Sequence, residues 1–298
     1  MVIESHGLSK TYRRFEALHD VNLRVPEGSV FALIGPNGAG KTTTIRTILN
    51  ILKPDAGEAY VLGTRSTLLR PGDYEQIGYA SESQRVPERL YVAQYLQYLR
   101  SLYSNWDETL ERDLLRQFDL PPDRRLKDLS HGMRMKLLLI GALAFRPKLL
   151  VLDEPLSGLD PLVRDEVVNG LLQQAQDTTI LISSHELTEI ESFTTHVAFM
   201  QSGHLLLQES IETLQDRFRS VSVRLSAVKT LPSPLPAGWL SPQIAGHQLQ
   251  FVASQFAGEQ QLYENLTAHF GAVSVQAEPM NLRSIANALM QEHRRRKA

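Results

Sequence analysis

Gly35-Pro36-Asn37-Gly38-Ala39-Gly40-Lys41-Thr42-Thr43 is the stretch that decides how this chain folds. The apolar run Val30-Phe31-Ala32-Leu33-Ile34 before it reads as a buried strand, and Thr44-Ile45-Arg46-Thr47-Ile48-Leu49 after it reads as a helix. A glycine-rich turn in that position lets successive backbone N–H groups point at one anion, and the helix adds the positive end of its dipole. Lys41 is placed to reach the β- and γ-phosphates of a nucleotide, and the Thr42 hydroxyl to ligate magnesium. An ordinary glycine-rich turn is the alternative, and the flanking strand and helix weigh against it.

Length and composition limit what such a loop can belong to. With 298 residues, 42% hydrophobic and 21% charged, the chain predicts a globular protein of one large or two moderate domains. A formal charge of -2 carries no global footprint of nucleic acid or membrane, so any such partner is met by a local patch. The absence of cysteine excludes disulfides and thiol chemistry and fits a cytosolic setting. The longest apolar stretch, residues 137–145, stops at Arg146-Pro147-Lys148, short of the roughly eighteen residues a spanning helix needs. The N-terminus has no charged, then apolar, then small-residue leader. The expectation is a protein that does not cross a membrane by itself.

The first thirty residues alternate apolar and polar side chains, as in Val21-Asn22-Leu23-Arg24-Val25, and predict half-buried antiparallel strands. Tyr12, closing Leu8-Ser9-Lys10-Thr11-Tyr12, is either surface filler or an aromatic placed to stack on an adenine ring. Ile77-Gly78-Tyr79 reads as another buried strand running into Ala80-Ser81-Glu82-Ser83-Gln84. Polar side chains at strand C-termini lie where open α/β sheets hold ligands, which makes Glu82 and Gln84 candidates for a contact near the phosphates. Residues 87–147 change to helical spacing. Tyr91, Tyr95, Leu96, Leu99, Leu102 and Tyr103, then Leu110, Leu114, Leu115 and Phe118, read as core positions of amphipathic helices in an inserted subdomain.

That insertion ends in Leu129-Ser130-His131-Gly132-Met133, where Ser130 and Gly132 at a helix start offer a second anion surface. His131 taken alone reads as a solvated loop histidine. Leu149-Leu150-Val151-Leu152-Asp153-Glu154 is a buried strand ending in two carboxylates, which is costly unless a cation or partners receive them. Beside a phosphate loop, Asp153 would hold the magnesium shell and Glu154 would polarise a water. Thr179-Ile180-Leu181-Ile182-Ser183-Ser184 is a further strand, and His185 after it is placed to bond a γ-phosphate or the attacking water.

In this order the motifs resemble the nucleotide-binding subunit of a bacterial exporter-type ATP-binding cassette (ABC) transporter, over residues 2–210. The resemblance makes Tyr12 the adenine-stacking residue, residues 35–43 Walker A, Leu129-Ser130-His131-Gly132-Met133 the signature, and residues 149–154 Walker B. Ser157-Gly158-Leu159-Asp160 becomes the D-loop and His185 the switch histidine. It implies an α/β fold, a P-loop NTPase core of ABC type with an antiparallel β subdomain and an inserted helical subdomain (residues 1–210), followed by a small C-terminal α/β extension (residues 211–298). It also implies ATP and Mg2+, the metal held by Thr42, Asp153 and Glu82. Glu82 falls on the Q-loop glutamine position, with Gln84 two residues on. His131 and Met133 depart from the Leu-Ser-Gly-Gly-Gln form of the signature, while Ser130 and Gly132 keep it.

In that family two copies pair head to tail, each ATP lying between the loop of one and Ser130 and Gly132 of the other. Separate transmembrane permease subunits make the substrate path. The chain is then expected in the cytoplasm, peripheral on the inner face of the cell membrane, with indirect membrane contact and no nucleic acid. Glu154 activates water, His185 and Lys41 assist, and Asp160 links the two sites. Two other classes share part of this motif set. A soluble ABC ATPase of DNA repair needs coiled-coil or zinc-bearing insertions, and a small-molecule kinase has no need of the signature or D-loop.

Past Gly203, Val221-Ser222-Val223-Arg224-Leu225 and Gln248-Leu249-Gln250-Phe251-Val252 alternate as strands, and residues 262–270 and 282–290 read as helical. Pro232, Pro234, Pro236 and Pro242 mark an extended connector. The terminal Arg294-Arg295-Arg296-Lys297 run is read as a solvated helix end, with attraction to anionic lipid the lesser reading.

Overall fold

The alternation of the first thirty residues becomes an antiparallel sheet. Strand β1 (Ile3–Tyr12) pairs with β2 (Phe15–Val21) and β3 (Arg24–Val25), and on its other side with β5 (Ala56–Val61), which carries β6 (Thr64–Arg65). The computed structural model describes residues 1–174 and 178–297. The chain divides into two compact units, Met1–Gln208 and Glu209–Ala298.

Continuous apolar runs, by contrast, become strands buried on both faces, the normal fate of parallel strands covered by other elements. β4 (Val30–Ile34) is buried at every position and sits inside a six-stranded sheet ordered β11-β10-β4-β9-β8-β7. Its companions are β7 (Ile77–Ser81), β8 (Leu149–Asp153), β9 (Thr179–Ser184), β10 (His196–Gln201) and β11 (His204–Ser210). The pairs β10/β4, β4/β9, β9/β8 and β8/β7 are parallel, so the loops after β4, β7, β8 and β9 emerge on one edge. Helix α1 (Lys41–Ile48) leaves the phosphate loop and enters a core shared by both sheets. Ile45 and Ile48 meet Phe31, Val151 and Leu181 from the parallel sheet and Ile3, Ala59 and Val61 from the antiparallel one. Each such side chain contributes about 1.5–3 kcal/mol on burial. The loop therefore rests on a helix whose apolar face is buried in that core.

The helical region contains α2 (Pro71–Tyr74), α3 (Val92–Arg100), α4 (Glu108–Gln117) and α5 (His131–Leu143), and α6 (Pro161–Gln174) follows β8. Tyr95, Leu96, Leu110, Leu114 and Phe118 are buried. Leu102 is instead 54% exposed, because α3 ends at Arg100 and the helical spacing ends with it. Asp107 starts α4 by accepting the Thr109 and Leu110 N–H groups, and buried Glu111 accepts from Trp106 Nε1 and pairs with Arg100.

In the second unit, α7 (Ile211–Arg217) precedes β12 (Arg219–Leu225), β13 (Trp239–Ala245), β14 (Gln248–Ala253), α8 (Glu259–Phe270), β15 (Ala272–Pro279) and α9 (Leu282–Lys297). The strands form an antiparallel sheet ordered β13-β14-β12-β15. Its core joins Val221, Val223, Leu249 and Phe251 to Leu266 of α8. Pro242, expected in a connector, lies in β13. That strand is an edge, and its pairing shifts register between Leu240 and Gln243, so the missing proline N–H breaks no inner ladder. The side chains of Arg296 and Lys297 in the terminal basic run lie outside the described residues. Among the described residues no helix is long and apolar enough to cross a membrane.

Candidate functional site

The phosphate loop is shaped by its glycines where side chains would collide. A Cβ on Gly35 would stand 2.3 Å from the Met200 carbonyl, and Gly40 has φ 106°, with Ala17 O 2.8 Å from where its Cβ would be. The Gly35 N–H donates to the Ser184 carbonyl at 3.3 Å, tying the loop to β9. Lys41 opens α1 and is 5% exposed. Its Nζ donates to the Gly35 carbonyl at 2.6 Å and the Pro36 carbonyl at 3.3 Å, and pairs with Glu154 Oε1 at 2.9 Å. The loop faces a cavity of about 210 Å³ walled by Tyr12, Phe15, Ala17, residues 37–43 and Glu154. Gly38, Ala39, Asn37 and Thr43 thus share one concavity with the exposed Tyr12. Phe15, also exposed, faces Tyr12 across the β1/β2 turn and was not anticipated from sequence.

Strand register assembles the acidic half of the site. Asp153 ends β8 and lies between Ser81 of β7 and Ser183 of β9. Asp153 Oδ1 accepts from Thr42 Oγ1 at 3.0 Å and Ser183 Oγ at 2.8 Å, and Oδ2 takes Ser81 Oγ at 3.5 Å. This all-oxygen set at the mouth of the loop suits a small hard cation that keeps its own waters and takes further ligands from phosphate. Among the described residues no group of three or more His, Cys, Asp or Glu is placed to hold a metal by itself. Ser81 and Ser183 went unread in sequence; their signal was a hydroxyl at the C-terminal end of each strand flanking β8.

Glu154 follows β8 with φ 54°, a left-handed conformation that costs a bulky residue roughly 1–3 kcal/mol. Its N–H donates to Ser183 Oγ at 2.9 Å, which holds that turn. Its Oε2 lies 2.8 Å from His185 Nδ1. Burial alone would push the Glu154 carboxyl up, but the His185 hydrogen bond and the Lys41 ammonium outweigh it and hold the group below the usual carboxylate range. Lys41, Glu154 and His185 therefore meet at one point, with the carboxylate ionised.

Other expected residues lie elsewhere. Glu82 gives its N–H to the Asp153 carbonyl at 3.1 Å but is itself exposed, and Gln84 lines a separate cavity of about 240 Å³ beside Tyr79, Tyr95 and Phe145. Ser130 caps α5, its Oγ accepting the Met133 N–H at 3.2 Å. Gly132 packs on Val163 of α6, and Asp160 caps α6 through the Val163 N–H at 3.1 Å. These three residues are not among the walls of the loop cavity. Within one chain, loop and signature form two faces.

Known proteins share both sequence and architecture with this chain. A family model described as ABC transporter matches residues 18–157. The bacitracin transport ATP-binding protein BcrA of Enterococcus faecalis is 34% identical over 222 residues, spanning 73% of this chain and 72% of that protein. A solved ATP-binding subunit of an ABC transporter superposes with TM-score 0.66 at 28% identity, covering 72% of this chain and 92% of that one. A dimeric ATP-binding cassette bound to ADP and Pi has the same fold, with TM-score 0.63 at 21% identity, over 70% of this chain and 98% of the other. A phosphate loop facing ionised Glu154, in a cassette aligned along most of its length with transport ATP-binding proteins, has one consistent reading: the chain belongs to the ABC transporter family, as an ATP-binding ATPase subunit.

Proposed function

We propose that residues 1–210 hydrolyse ATP to power export through separate transmembrane permease subunits, two copies of the chain closing head to tail around two nucleotides. The observation that carries the reading is the meeting of Lys41, Glu154 and His185 beside the hydroxyl-lined Asp153. Export is supported by likeness to a bacitracin transport protein, and the dimer by the dimeric cassette of the same fold. The permease places the chain on the inner face of the cell membrane.

In this reading Tyr12, joined by Phe15, stacks on adenine, and residues 35–43 wrap the phosphates with their N–H groups. Thr42 and Asp153, with Glu82 nearby, would hold Mg2+, which would supply charge to offset that developing on the phosphates. Lys41 exchanges its contact with Glu154 for the phosphate, an anion closer to the loop. Glu154, released on one oxygen and still held by His185 on the other, accepts the proton of the attacking water. His185 keeps the carboxylate aimed and orients the γ-phosphate. Ser130 and Gly132 of the second copy complete the γ-phosphate pocket, and Asp160 joins the two sites.

Glu154→Gln is the direct test. It keeps the shape and removes the base, so ATP binding persists, an ATP-bound dimer accumulates on size exclusion, and turnover falls by two orders of magnitude or more, roughly the worth of a positioned base. Near-normal hydrolysis by this variant would overturn the assignment.

A further inference from the structure

Glu189 is a buried carboxylate that the mechanism above does not use. It lies five residues past the end of β9, and its side chain is 4% exposed. One oxygen pairs with Arg164 at 2.8 Å, and the other accepts from Ser184 Oγ at 3.2 Å. Ser184 is the last residue of β9, next to His185, and its carbonyl receives the Gly35 N–H of the phosphate loop. Glu189 thus meets the hydroxyl of the residue next to the histidine held on Glu154, a hydroxyl that also reaches the Glu186 carbonyl at 3.0 Å.

Arg164 reaches it from the first turn of α6, where its N–H donates to the Asp160 carbonyl at 3.0 Å. One residue before, Val163 touches the signature: a Cβ on Gly132 would stand 2.8 Å from Val163 Cγ1. The signature histidine closes the same junction, His131 Nε2 lying 2.9 Å from the Ser157 carbonyl. Contacts and short stretches of chain therefore lead from Gly132 through Val163 and Arg164 to Glu189, Ser184 and the adjacent His185, with His131 tied to Ser157 of the D-loop segment. A buried carboxylate is costly. Burial pushes Glu189 above the usual carboxylate range, and Arg164 opposes that shift.

A plain structural staple would serve equally well between the bodies of α6 and the sheet. This pair instead joins the two segments that carry Asp160 and His185. We propose that Arg164 and Glu189 are positioning residues that link the signature and D-loop face of a chain to its own His185, so that closure of one nucleotide site is felt at the other. The link rests on the head-to-tail reading, in which the signature of a chain serves its partner's nucleotide. It is a physical connection between two sites, and such connections carry coupling of either sign.

The test compares full-length wild type with Arg164→Gln, Glu189→Gln and the double variant, reading kcat, the Hill coefficient for ATP, affinity for a non-hydrolysable ATP analogue, and Tm. Glu189→Gln keeps the length and hydrogen-bonding reach of the side chain, and Arg164→Lys serves as a second check that retains charge without the guanidinium fork. Each single change is expected to lower kcat by roughly two- to thirtyfold, the range for residues along coupled contacts. The Hill coefficient moves towards one while nucleotide affinity holds, and Tm falls in the neutralising singles because each breaks a buried pair. The kcat loss persists in Arg164→Lys with Tm near wild type, and the double variant is no worse than either single. Wild-type kcat and Hill coefficient in the singles, or losses that multiply in the double, overturn the link. A Tm that falls in step with kcat in all variants also overturns it, in favour of a staple. If Glu154→Gln forms no ATP-dependent dimer, the head-to-tail reading fails instead, which separates the two outcomes.

Discussion

Ser183 shows how much one small side chain carries at this site. Its hydroxyl donates to Asp153 Oδ1 at 2.8 Å and accepts the Glu154 N–H at 2.9 Å, and the residue is fully buried. It therefore orients the carboxylate that faces Thr42 and holds the left-handed turn that aims Glu154 at Lys41 and His185. Ser183→Ala removes both bonds and leaves the part-buried Glu154 N–H unpaired, a loss of about 1–3 kcal/mol. The expected result is a lower midpoint in urea unfolding together with reduced kcat. A variant with wild-type stability and turnover would show that the turn holds without the hydroxyl.

At the scale of the element, helix starts do the positioning. α1 begins on Lys41, α5 on the Ser130 cap and α6 on the Asp160 cap, so each of these sites is fixed by the first turn of a helix. α4 displays the energetics apart from chemistry. Asp107 accepts two N–H groups of its first turn and pairs with Arg146 at 2.8 Å. The Leu110 N–H and the Arg146 guanidinium hold its carboxyl below the usual range. A depressed carboxyl contributes stability above its unfolded-state pKa, and that contribution is lost as pH falls through the lower folded value. Asp107→Ala is expected to cost about 1 kcal/mol at neutral pH, the worth of a helix cap, and nothing at strongly acidic pH. Urea unfolding at the two pH values checks both magnitude and sign.

Over the whole molecule, each unit has a core of its own among the described residues. The first places the nucleotide loop between a parallel and an antiparallel sheet, and the second closes a four-stranded sheet with α8 through Phe251 and Leu266. Trp239, half-buried, stacks on Phe251 with ring centroids 3.8 Å apart and packs against the core of the second unit. Because that core draws only on its own residues, a fragment of residues 209–298 is expected to unfold in one cooperative transition, followed by Trp239 fluorescence. A featureless, non-cooperative curve would show that the unit depends on the rest of the chain.

The sequence by itself determined the nucleotide loop, the apolar strands on either side of it and the order of the motifs, because each of these is written in contiguous residues whose local chemistry is sufficient. Lys41 and Thr42 follow the last loop glycine directly, and Asp153 and Glu154 end an unbroken apolar run. Edge strands β13 and β15 were less legible, the first carrying Pro242 and both lacking a two-sided core to impose a pattern. Only the tertiary structure decided that Ser81 and Ser183 flank Asp153, that Phe15 joins Tyr12, and that Arg164 reaches Glu189. Phe15 meets Tyr12 through the register of one hairpin, and the other neighbours are chosen by strand register and helix packing between segments far apart in the chain, which no local propensity encodes.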